Sequence, residues 1–386
     1  MRELVVTDLV RGKRRLPCAA LFEDGRLSEL AAPGEEEQSL VGRIYMAEAE
    51  TDAPEIGGAF LRIGKKMRVF LPLKHGKVRI SSVLPVQITK DAAGRKEPVA
   101  GRNLHLAGKY AVLSRNPGKT AFSSKLTEEE KTLLRKWLAD QPEVPYQVLV
   151  RTNAARCRKD ELLAEIGVLA SGMDEILKAA DKSPCGKCLY APEPFYVRLL
   201  RDLKEAPDRI VTDVPLYLEQ LAPYAKEAEC VLYEDGRTLS LAGRYRLPEH
   251  IEKLLGKLVW LRSGAFLVIE QTEAFVSIDV NTGHSTKGRI PEETYRRINL
   301  EAAEEIARQL RLRNLSGMIL VDFISMRSED HKDELFHVMA KLLKKDRVKA
   351  EAVDLTKLGI LEIVRTKAER PLKETAGPFF DGNRGP

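Results

Sequence analysis

The sequence predicts an α/β protein that is divided into several domains, and three observations support this fold class. The chain of 386 residues is longer than one hydrophobic core of ordinary size organises, so two or more domains are expected. Residues 40–113 contain short strand-like runs separated by glycine, proline and aspartate, which is typical of a small β-barrel. Residues 266–326 follow a strand–helix–strand pattern, which predicts a sheet covered by a crossover helix.

Composition limits the classes of partner and compartment. Lys and Arg number 63 and Asp and Glu number 57, a net charge of +6 that allows a nucleic-acid partner without requiring one. No apolar run is long enough to span a membrane, and the polar N-terminus does not resemble a secretory leader. An odd number of cysteines in such a chain favours the reducing cytoplasm. The five cysteines are Cys18, Cys157, Cys185, Cys188 and Cys230.

The N-terminal segment reads as paired strands. Residues 3–8 and 18–22 are strand-like, and a turn is predicted at Asp24 and Gly25. The basic run at residues 11–15 has two interpretations, a phosphate contact or a solvated hairpin tip, and the hairpin tip is preferred. Residues 33–37 mark a boundary before the predicted barrel.

The predicted barrel combines aromatic and basic residues. Its clearest strands cover residues 42–46, 58–63 and 66–71, and aromatic residues there are interleaved with arginine and lysine. Barrels of the OB type use exposed aromatic side chains to stack bases and basic side chains to follow a phosphate backbone. The alternative is that the aromatic side chains belong to the barrel core, which is the more common role of such residues in strands.

A helix is predicted over residues 127–139 with Thr127 as its N-cap, followed by a strand over residues 146–150. Arg151 and Thr152 stand at the end of that strand, where a guanidinium fork and a hydroxyl would suit a terminal phosphate. Residues 160–177 predict a further helix.

The pair Cys185 and Cys188 is half a zinc site, a redox pair, or two thiols in a turn. Reduced, unliganded thiols are preferred, with an intersubunit metal site as the lesser alternative.

Two acids in apolar runs identify the candidate catalytic region. Asp279 lies in Ala-Phe-Val-Ser-Ile-Asp-Val-Asn281, and Asp322 lies in Met-Ile-Leu-Val-Asp-Phe-Ile-Ser-Met326. Carboxylates on adjacent strands repel each other unless a proton or a cation intervenes. The oxygen donors of Asp279, Asn281 and Asp322 suit Mg²⁺, and no His or Cys lies in zinc-ligand spacing nearby. The alternative is a buried strand pair whose acids accept backbone hydrogen bonds.

Two helices are predicted around these runs. The first begins at Pro291 and is followed by an apolar stripe at three- and four-residue steps. Its stripe comprises Tyr295, Ile298, Ala302, Ile306 and Leu310. The second covers residues 331–345, and its predicted apolar side comprises Leu335, Val338, Met339 and Leu342.

The motif Ser-Ile-Asp279-Val-Asn281-Thr-Gly, the segment from Asn299 to Asn314 and the motif Leu-Val-Asp322-Phe-Ile together resemble the catalytic region of the bacterial ribonuclease E/G family. This resemblance implies a Mg²⁺-dependent endoribonuclease that cuts single-stranded RNA in RNA processing or decay and leaves 5′-phosphate and 3′-hydroxyl ends. It implies that Asp279 and Asp322 hold Mg²⁺, for which Mn²⁺ could substitute, and that Asn281 assists.

The resemblance extends to the RNA-binding positions. It implies that Phe60 and Phe70 line the RNA path and that Lys90 and Lys96 contact the RNA. By the same resemblance, the pair Arg151 and Thr152 binds the substrate's 5′-monophosphate. Two positions depart from the family pattern. Lys125 stands where a second arginine is common, and Glu97 with Pro98 replaces small residues. Arg365 and Lys367 face either the scissile phosphate or solvent.

The resemblance also implies a domain plan. An RNase H-like subdomain is expected from residues 1–39 and 191–255, with an S1 RNA-binding domain (40–114) and a 5′-sensor region (115–190) inserted into it. A DNase I-like catalytic subdomain (256–370) and a flexible tail (371–386) follow. The Cys-Pro-x-Cys zinc link and small dimerisation domain of the family are absent from the sequence, so a zinc link is not expected and the oligomeric state is left open.

Two other function classes remain open at this point. A non-catalytic RNA-binding or assembly factor would keep the barrel and bind RNA without cutting it. A Mg²⁺ enzyme acting on a small phosphorylated metabolite would use the acids and leave the aromatic and basic barrel unexplained.

Overall fold

The computed structural model describes residues 1–34, 39–65, 67–72, 78–92, 96–139, 144–225, 228–234, 239–283, 292–367 and 369–381. The chain forms two compact units. Unit 1 combines Met1–Gln38 with Phe195–Pro386, and unit 2 is the continuous segment Ser39–Pro194. Within the described residues, no helix has both the length and the apolar character that a membrane span requires.

Unit 1 begins with an antiparallel sheet of long strands. They are β1 (Arg2–Arg11), β2 (Arg14–Glu23) and β3 (Arg26–Ala31). The β2–β3 turn uses Asp24 and Gly25 with positive φ angles of 49° and 76°. Alternate residues enter two different hydrophobic clusters, Val5 on one face and Leu4 on the other, so both faces are covered. The predicted strands are therefore present and are longer than the sequence pattern indicated.

Unit 2 begins with a closed barrel of five strands. They are β4 (Ile44–Ala53), β5 (Gly58–Ile63), β6 (Met67–Pro72), β7 (Val83–Lys90) and β8 (Val99–Gly101). The strands follow the order β4-β5-β6-β8-β7, and pairing of β7 with β4 closes the ring. Leu61, Val69 and Val86 are fully buried inside it. This OB-like barrel confirms the predicted barrel architecture.

The remainder of unit 2 is a small sheet with two helices. Its elements are β9 (His105–Ala107), β10 (Ala111–Ser114), β11 (Ala121–Phe122), α1 (Glu128–Ala139), β12 (Gln147–Val150), α2 (Lys159–Ala180) and β13 (Cys188–Tyr190). Strand order is β11-β12-β10-β9, while β13 pairs with β4. Thr127 caps α1 as predicted, because its Oγ1 accepts from the Glu130 N–H at 3.2 Å and Glu130 Oε2 accepts from the Thr127 N–H at 2.8 Å.

The chain then returns to unit 1 and completes the first sheet. The elements are α3 (Phe195–Asp202), β14 (Arg209–Thr212), α4 (Pro215–Leu221), β15 (Glu229–Leu232), α5 (Leu241–Arg244) and α6 (Leu247–Leu255). The sheet order is β15-β14-β1-β2-β3, with β14 parallel to β1. A parallel partner for β1 requires a long crossover, which residues 12–208 provide.

The second sheet of unit 1 has six strands and carries the candidate catalytic residues. Its elements are β16 (Leu258–Trp260), β17 (Phe266–Gln271), β18 (Val276–Asn281), α7 (Glu292–Leu312), β19 (Gly317–Asp322), α8 (Glu329–Lys344), β20 (Ala350–Leu355) and β21 (Ile360–Arg365). Strand order is β16-β17-β18-β19-β21-β20, and β18 with β19 is the parallel pair.

One face of this sheet packs against α7 and α8. The predicted stripe of α7 is buried at Ile298, Ala302, Ile306 and Leu310, in the same cluster as Ile278 and Val321 of the strands. The predicted start of this helix, Pro291, lies outside the described residues. In α8, Leu335 and Met339 are buried as predicted. Val338 and Leu342, which were also predicted to be buried, are only partly buried, and Leu343 is buried in addition.

The expectation of a flexible tail over residues 371–386 needs correction for residues 371–381. Two short helices, α9 (Leu372–Thr375) and α10 (Gly377–Asp381), lie there. Leu372, Ala376 and Phe379 are buried in the cluster that also contains Val5 and Leu16 of the N-terminal sheet. Arg11 adds a cation–π contact to the Phe380 ring at 4.9 Å. The apolar side chains within a polar, glycine-rich sequence were the signal for this packing.

Candidate active site and nucleic-acid interface

Asp279 and Asp322 are direct neighbours across the parallel pair β18–β19. Each is the exposed residue of an alternating strand, since Ile278, Val280 and Val321 on the other face are buried. The alternative of a buried acidic strand pair therefore does not describe these residues. Two carboxylates standing side by side in solvent create a local negative site that can attract a cation.

Asn281 is joined to the acids by a hydrogen bond. Its Nδ2 donates to Oδ2 of Asp279 at 2.8 Å, and its side chain projects from the same sheet face two residues further along β18. The amide thus fixes the position of one carboxylate oxygen. The structure brings together the three residues that the sequence assigned to catalysis.

The donor set fits a hard divalent cation. Mg²⁺ prefers oxygen ligands, and in many enzymes one or two carboxylates hold it while water and substrate phosphates complete its shell. Asp279 and Asp322 supply two such carboxylates, and Asn281 supplies an amide oxygen. Within the described residues, no group of three or more His, Cys, Asp or Glu side chains is placed to hold a metal.

The loop that follows Asp322 is held by polar contacts from α7. Asn299, fully buried, donates from Nδ2 to the Ile324 carbonyl at 2.8 Å and accepts from the Ile324 N–H at 3.1 Å. Glu292 Oε1 accepts the N–H groups of Arg327 and Ser328 at 3.0 and 2.7 Å. The Ser328 hydrogen bond is the main reason that the pKa of Glu292 lies below its ordinary value. Asn299 was not identified from the sequence, although a polar residue within the apolar stripe was a signal for it.

Of the two alternatives for Arg365 and Lys367, the scissile phosphate or solvent, neither describes Arg365, whereas Lys367 is exposed to solvent. Strand β21 runs antiparallel to β19, so Ile360 lies opposite Asp322 and Arg365 lies opposite Gly317 at the far end. Five residues of strand separate these ends, which is about 17 Å. Arg365 is also only 1% exposed, and its Nε donates to Asp346 at 2.8 Å. Lys367 is exposed, two residues beyond Arg365.

Phe60 and Phe70 form an aromatic pair on the barrel surface. They are direct partners on β5 and β6, both are partly exposed, and their ring centroids are 5.5 Å apart. The guanidinium of Arg68 lies over the Phe60 ring at 4.1 Å, a contact that the sequence did not identify. Gly58 is required beside them, because a β-carbon there would collide with the Phe70 ring. The pair therefore does not belong to the barrel core.

The predicted lysines lie near this pair. Lys90 is exposed and pairs with Val99, which is itself the parallel partner of Phe70. Lys96 is exposed at the start of the segment that leads to β8. Pro98, one of the residues that depart from the family pattern, has a structural role, because its carbonyl accepts the Phe70 N–H at 2.8 Å. Lys66 and residues 93–95 lie outside the described residues.

Arg151 and Thr152 occupy the end of β12 as predicted. Arg151 Nη1 donates to the Gly108 carbonyl at 2.5 Å, and the Thr152 hydroxyl lies 3.0 Å from the Ser123 hydroxyl. Ser123 Oγ also accepts the backbone N–H of Lys125 at 3.3 Å, so the backbone of Lys125 adjoins this pair. A guanidinium and two hydroxyls on adjoining segments are groups that bind phosphate.

The cysteines are free thiols. Cys185 Sγ donates to the Arg62 carbonyl at 3.3 Å, and Cys188 Sγ donates to the Tyr190 carbonyl at 3.4 Å. Burial raises the pKa of Cys157 to about 11, so that thiol stays protonated at neutral pH.

Comparison with known proteins finds relatives that are all named as ribonuclease E or ribonuclease G. The Ribonuclease E/G family profile matches residues 105–368. Ribonuclease G of Escherichia coli strain K12 is 28% identical over 383 residues, which cover 92% of this chain and 78% of the relative. A putative ribonuclease E of Buchnera aphidicola is 29% identical over 402 residues, with 97% of both chains covered. Ribonuclease E of Nostoc sp. is 30% identical over 383 residues, covering 93% of this chain and 56% of the relative. Together with the motifs around Asp279 and Asp322, these matches show that the chain belongs to the ribonuclease E/G family.

Proposed function

We propose that this protein is an endoribonuclease that hydrolyses single-stranded RNA in RNA processing or decay, with Mg²⁺ held by Asp279 and Asp322. The observation that carries the proposal is the direct pairing of these acids on an exposed sheet face, with Asn281 donating to Asp279 at 2.8 Å. Relatives named ribonuclease G and ribonuclease E support RNA as the substrate.

Each residue has a role in the proposed reaction. When bound, Mg²⁺ would supply an activated water and neutralise charge that develops on the phosphoryl oxygens. Asp279 and Asp322 provide the two negative ligands, and Asn281 keeps one oxygen of Asp279 in place. Because both acids are exposed to solvent in the described part of the chain, a polymer can reach them without a chain end entering a pocket. Cleavage would leave 5′-phosphate and 3′-hydroxyl ends.

The barrel surface is proposed to bind the RNA strand. Phe60 and Phe70 offer aromatic faces for base stacking, and Arg68 adds a cation beside them. Lys90 and Lys96 are exposed cations suited to the phosphate backbone. This combination tolerates sequence variation, because every base has a π-face and every nucleotide has a phosphate.

Sensing of the 5′ end is proposed at Arg151 and Thr152. A 5′-monophosphate would accept from the Arg151 guanidinium and the Thr152 hydroxyl, with Lys125 as an additional cation. The contacts of Arg151 with Gly108 and of Thr152 with Ser123 hold these groups in place before RNA binds.

The domain plan is retained as part of the proposal. Residues 40–114 would be the S1 domain and residues 115–190 the 5′-sensor region. Residues 1–39 and 191–255 would form the RNase H-like subdomain, and residues 256–370 the DNase I-like catalytic subdomain. A cytoplasmic location is consistent with the free thiols.

Substitution of the acids tests the proposal. With a short 5′-monophosphorylated single-stranded RNA and Mg²⁺, Asp279→Asn and Asp322→Asn should each lower the cleavage rate roughly a hundredfold or more, because each removes a negative ligand. Cleavage is measured by gel electrophoresis of labelled RNA, and binding is measured separately. Both variants should still bind RNA.

The matched control is Glu270→Gln, the same type of change at an exposed acid of the same sheet. It should leave the rate unchanged. Cleavage at the wild-type rate by either Asp variant would contradict the assignment of the acids. RNA binding without any cleavage by the wild type, over a wide range of protein concentrations, would instead favour the non-catalytic RNA-binding factor.

A further inference from the structure

Two further aromatic side chains lie on the sheet face that carries the acids. Trp260, on the edge strand β16, is the direct partner of Phe266 on β17, and Phe266 is the direct partner of Asn281 on β18. The three residues therefore form one row across the sheet. The ring centroids of Trp260 and Phe266 are 5.2 Å apart, with an angle of 53° between the ring planes.

These rings do not belong to the hydrophobic core. The alternate residues of β17 and β18, Leu267 and Val280, are buried in the cluster that α7 covers. Trp260, in contrast, is 67% exposed. Tryptophan usually contributes a large buried area when it stabilises a fold. An indole that remains in solvent beside a second aromatic ring offers its face to a planar ligand.

The row begins next to the candidate metal site. Neighbouring strands are about 4.8 Å apart, so the backbone of Phe266 is about 5 Å from that of Asn281, and Trp260 lies about 10 Å away. The amide of Asn281 in turn contacts Asp279. A strand of RNA with one phosphate at the acids would therefore have a neighbouring base within reach of the rings.

The turn between the two aromatic residues is fixed. The Leu261 N–H donates to the Ala265 carbonyl at 2.8 Å, and Glu301 Oε1 accepts the Arg262 N–H at 2.7 Å. Trp260 and Phe266 thus lie on two adjacent strands that a short, hydrogen-bonded turn connects. The side chain of Arg262 is exposed and adds positive charge to this turn, which suits a nucleic-acid backbone.

We propose that Trp260 and Phe266 stack a nucleobase of the single-stranded RNA substrate next to the phosphodiester bond that is cut. The proposal rests on the proposed function, because the position of the scissile phosphate is set by Asp279 and Asp322. Stacking here would favour single strands, since a base in a duplex is already covered by its neighbours. It would favour no particular base, because no hydrogen-bond readout is involved.

Fluorescence of Trp260 tests the stacking directly. The chain has two tryptophans, Trp137 and Trp260, so Trp137→Phe leaves Trp260 as the single reporter. In this background with Asp322→Asn, a single-stranded oligonucleotide should quench the emission of Trp260. A ribose-phosphate oligomer of equal length without bases should not. Equal quenching by both oligomers, or quenching by neither, would overturn the proposal.

A paired change in protein and RNA tests the position. Removing one base next to the cleaved bond should raise KM about tenfold for the wild type, and Trp260→Leu should raise KM for intact RNA by a similar factor. The two changes together should raise KM by no more than either change raises it alone. If the two increases in KM multiply, the proposal is overturned, because the ring and the base would then act independently. Trp260→Phe should retain most of the wild-type affinity.

Leu258→Ala is the matched control, because Leu258 is exposed on the same edge strand and the same face but has no aromatic ring. It should leave KM unchanged, and a loss equal to that of Trp260→Leu would overturn the role of the rings. Emission of Trp260 that changes with protein concentration in the absence of RNA would mean that a second copy covers this face, and it would overturn the proposal too. The cleavage defect of the Asp variants is scored separately, so failure of the proposed function is distinguishable from failure of the stacking.

Discussion

The guanidinium of Arg365 is buried within unit 1 and is fully engaged. Nε donates to Asp346 at 2.8 Å, and Nη1 donates to Asn314 at 2.9 Å and to the Leu315 carbonyl at 3.0 Å. A buried charge is stable only when such partners replace water. These contacts join the end of β21 to the loops that precede β19 and β20, so Arg365 supports the sheet that carries the acids.

Removing this guanidinium should destabilise the protein strongly. Arg365→Met leaves Asp346 buried without its cation, which typically costs about 3–5 kcal/mol of unfolding free energy. Urea unfolding followed by circular dichroism measures the change. Lys257→Met breaks an exposed ion pair with Glu270 and should change the unfolding free energy far less, because water screens that pair. Similar small losses for both variants would contradict the structural role of Arg365.

The sequence singled out Asp279 and Asp322 because acids are rare in apolar strand-like runs, and Asn281 because it offers a further oxygen donor beside them. The same reasoning misplaced Arg365, because a basic residue at a strand end carries no information on the direction of that strand. Its antiparallel pairing with β19 is a long-range property of the sheet. Trp260 was not singled out for a related reason, since its proximity to Asn281 depends on the register of three strands.

At the scale of elements, the end of β18 depends on one glycine. Gly283 has a φ of +73°, and a β-carbon there would collide with the carbonyl oxygen of Gly264 in the turn before β17. The turn and the strand end therefore approach each other closely beside Asn281. Any side chain at position 283 would move one of them.

Gly283→Ala should accordingly impair both stability and cleavage. The positive φ alone costs about 1–2 kcal/mol for a residue with a β-carbon, and displacement of the Gly264 carbonyl adds to it. The control is Gly359→Ala, where φ is +84° and the space around a β-carbon is open. Thermal unfolding and RNA cleavage are measured for both. Equal behaviour of the two variants would show that the close approach at Gly283 is unimportant.

Elements with a strong local pattern were predicted well. The stripe of α7 and the capping of α1 by Thr127 follow from helical spacing and from cap chemistry, which are properties of neighbouring residues. Helices α9 and α10 were missed because each has five residues or fewer. Such helices form through burial of Leu372 and Phe379 against distant strands, and propensity alone does not reveal them.

At the scale of the whole molecule, unit 2 has the properties of a domain that folds by itself. It is one continuous segment, Ser39–Pro194, and it contains two hydrophobic clusters of its own. The barrel was predictable from its short strands, and its closure through β4 and β7 was not, because these strands are distant in sequence.

Residues 39–194 should therefore fold when expressed alone and bind single-stranded RNA without cutting it. The fragment retains Phe60, Phe70 and Arg151 but lacks both candidate acids. A cooperative thermal transition and a gel-shift assay test the two parts. A fragment with Phe60→Ala and Phe70→Ala should unfold similarly and bind more weakly. Failure of the isolated segment to unfold cooperatively would mean that unit 2 depends on the rest of the chain.

The pairing of β1 with β14 also has a consequence for synthesis on the ribosome. Glu3 and Arg209 are partners in this pairing, yet the whole of unit 2 is translated between them. At a translation rate of about 5–20 residues per second, β14 is synthesised roughly 10–40 s after the first three strands. During that time, the edge of β1 with its apolar run Leu4, Val5 and Val6 is open to wrong pairing. The nascent N-terminal hairpin should consequently be a substrate for chaperones that act before translation ends.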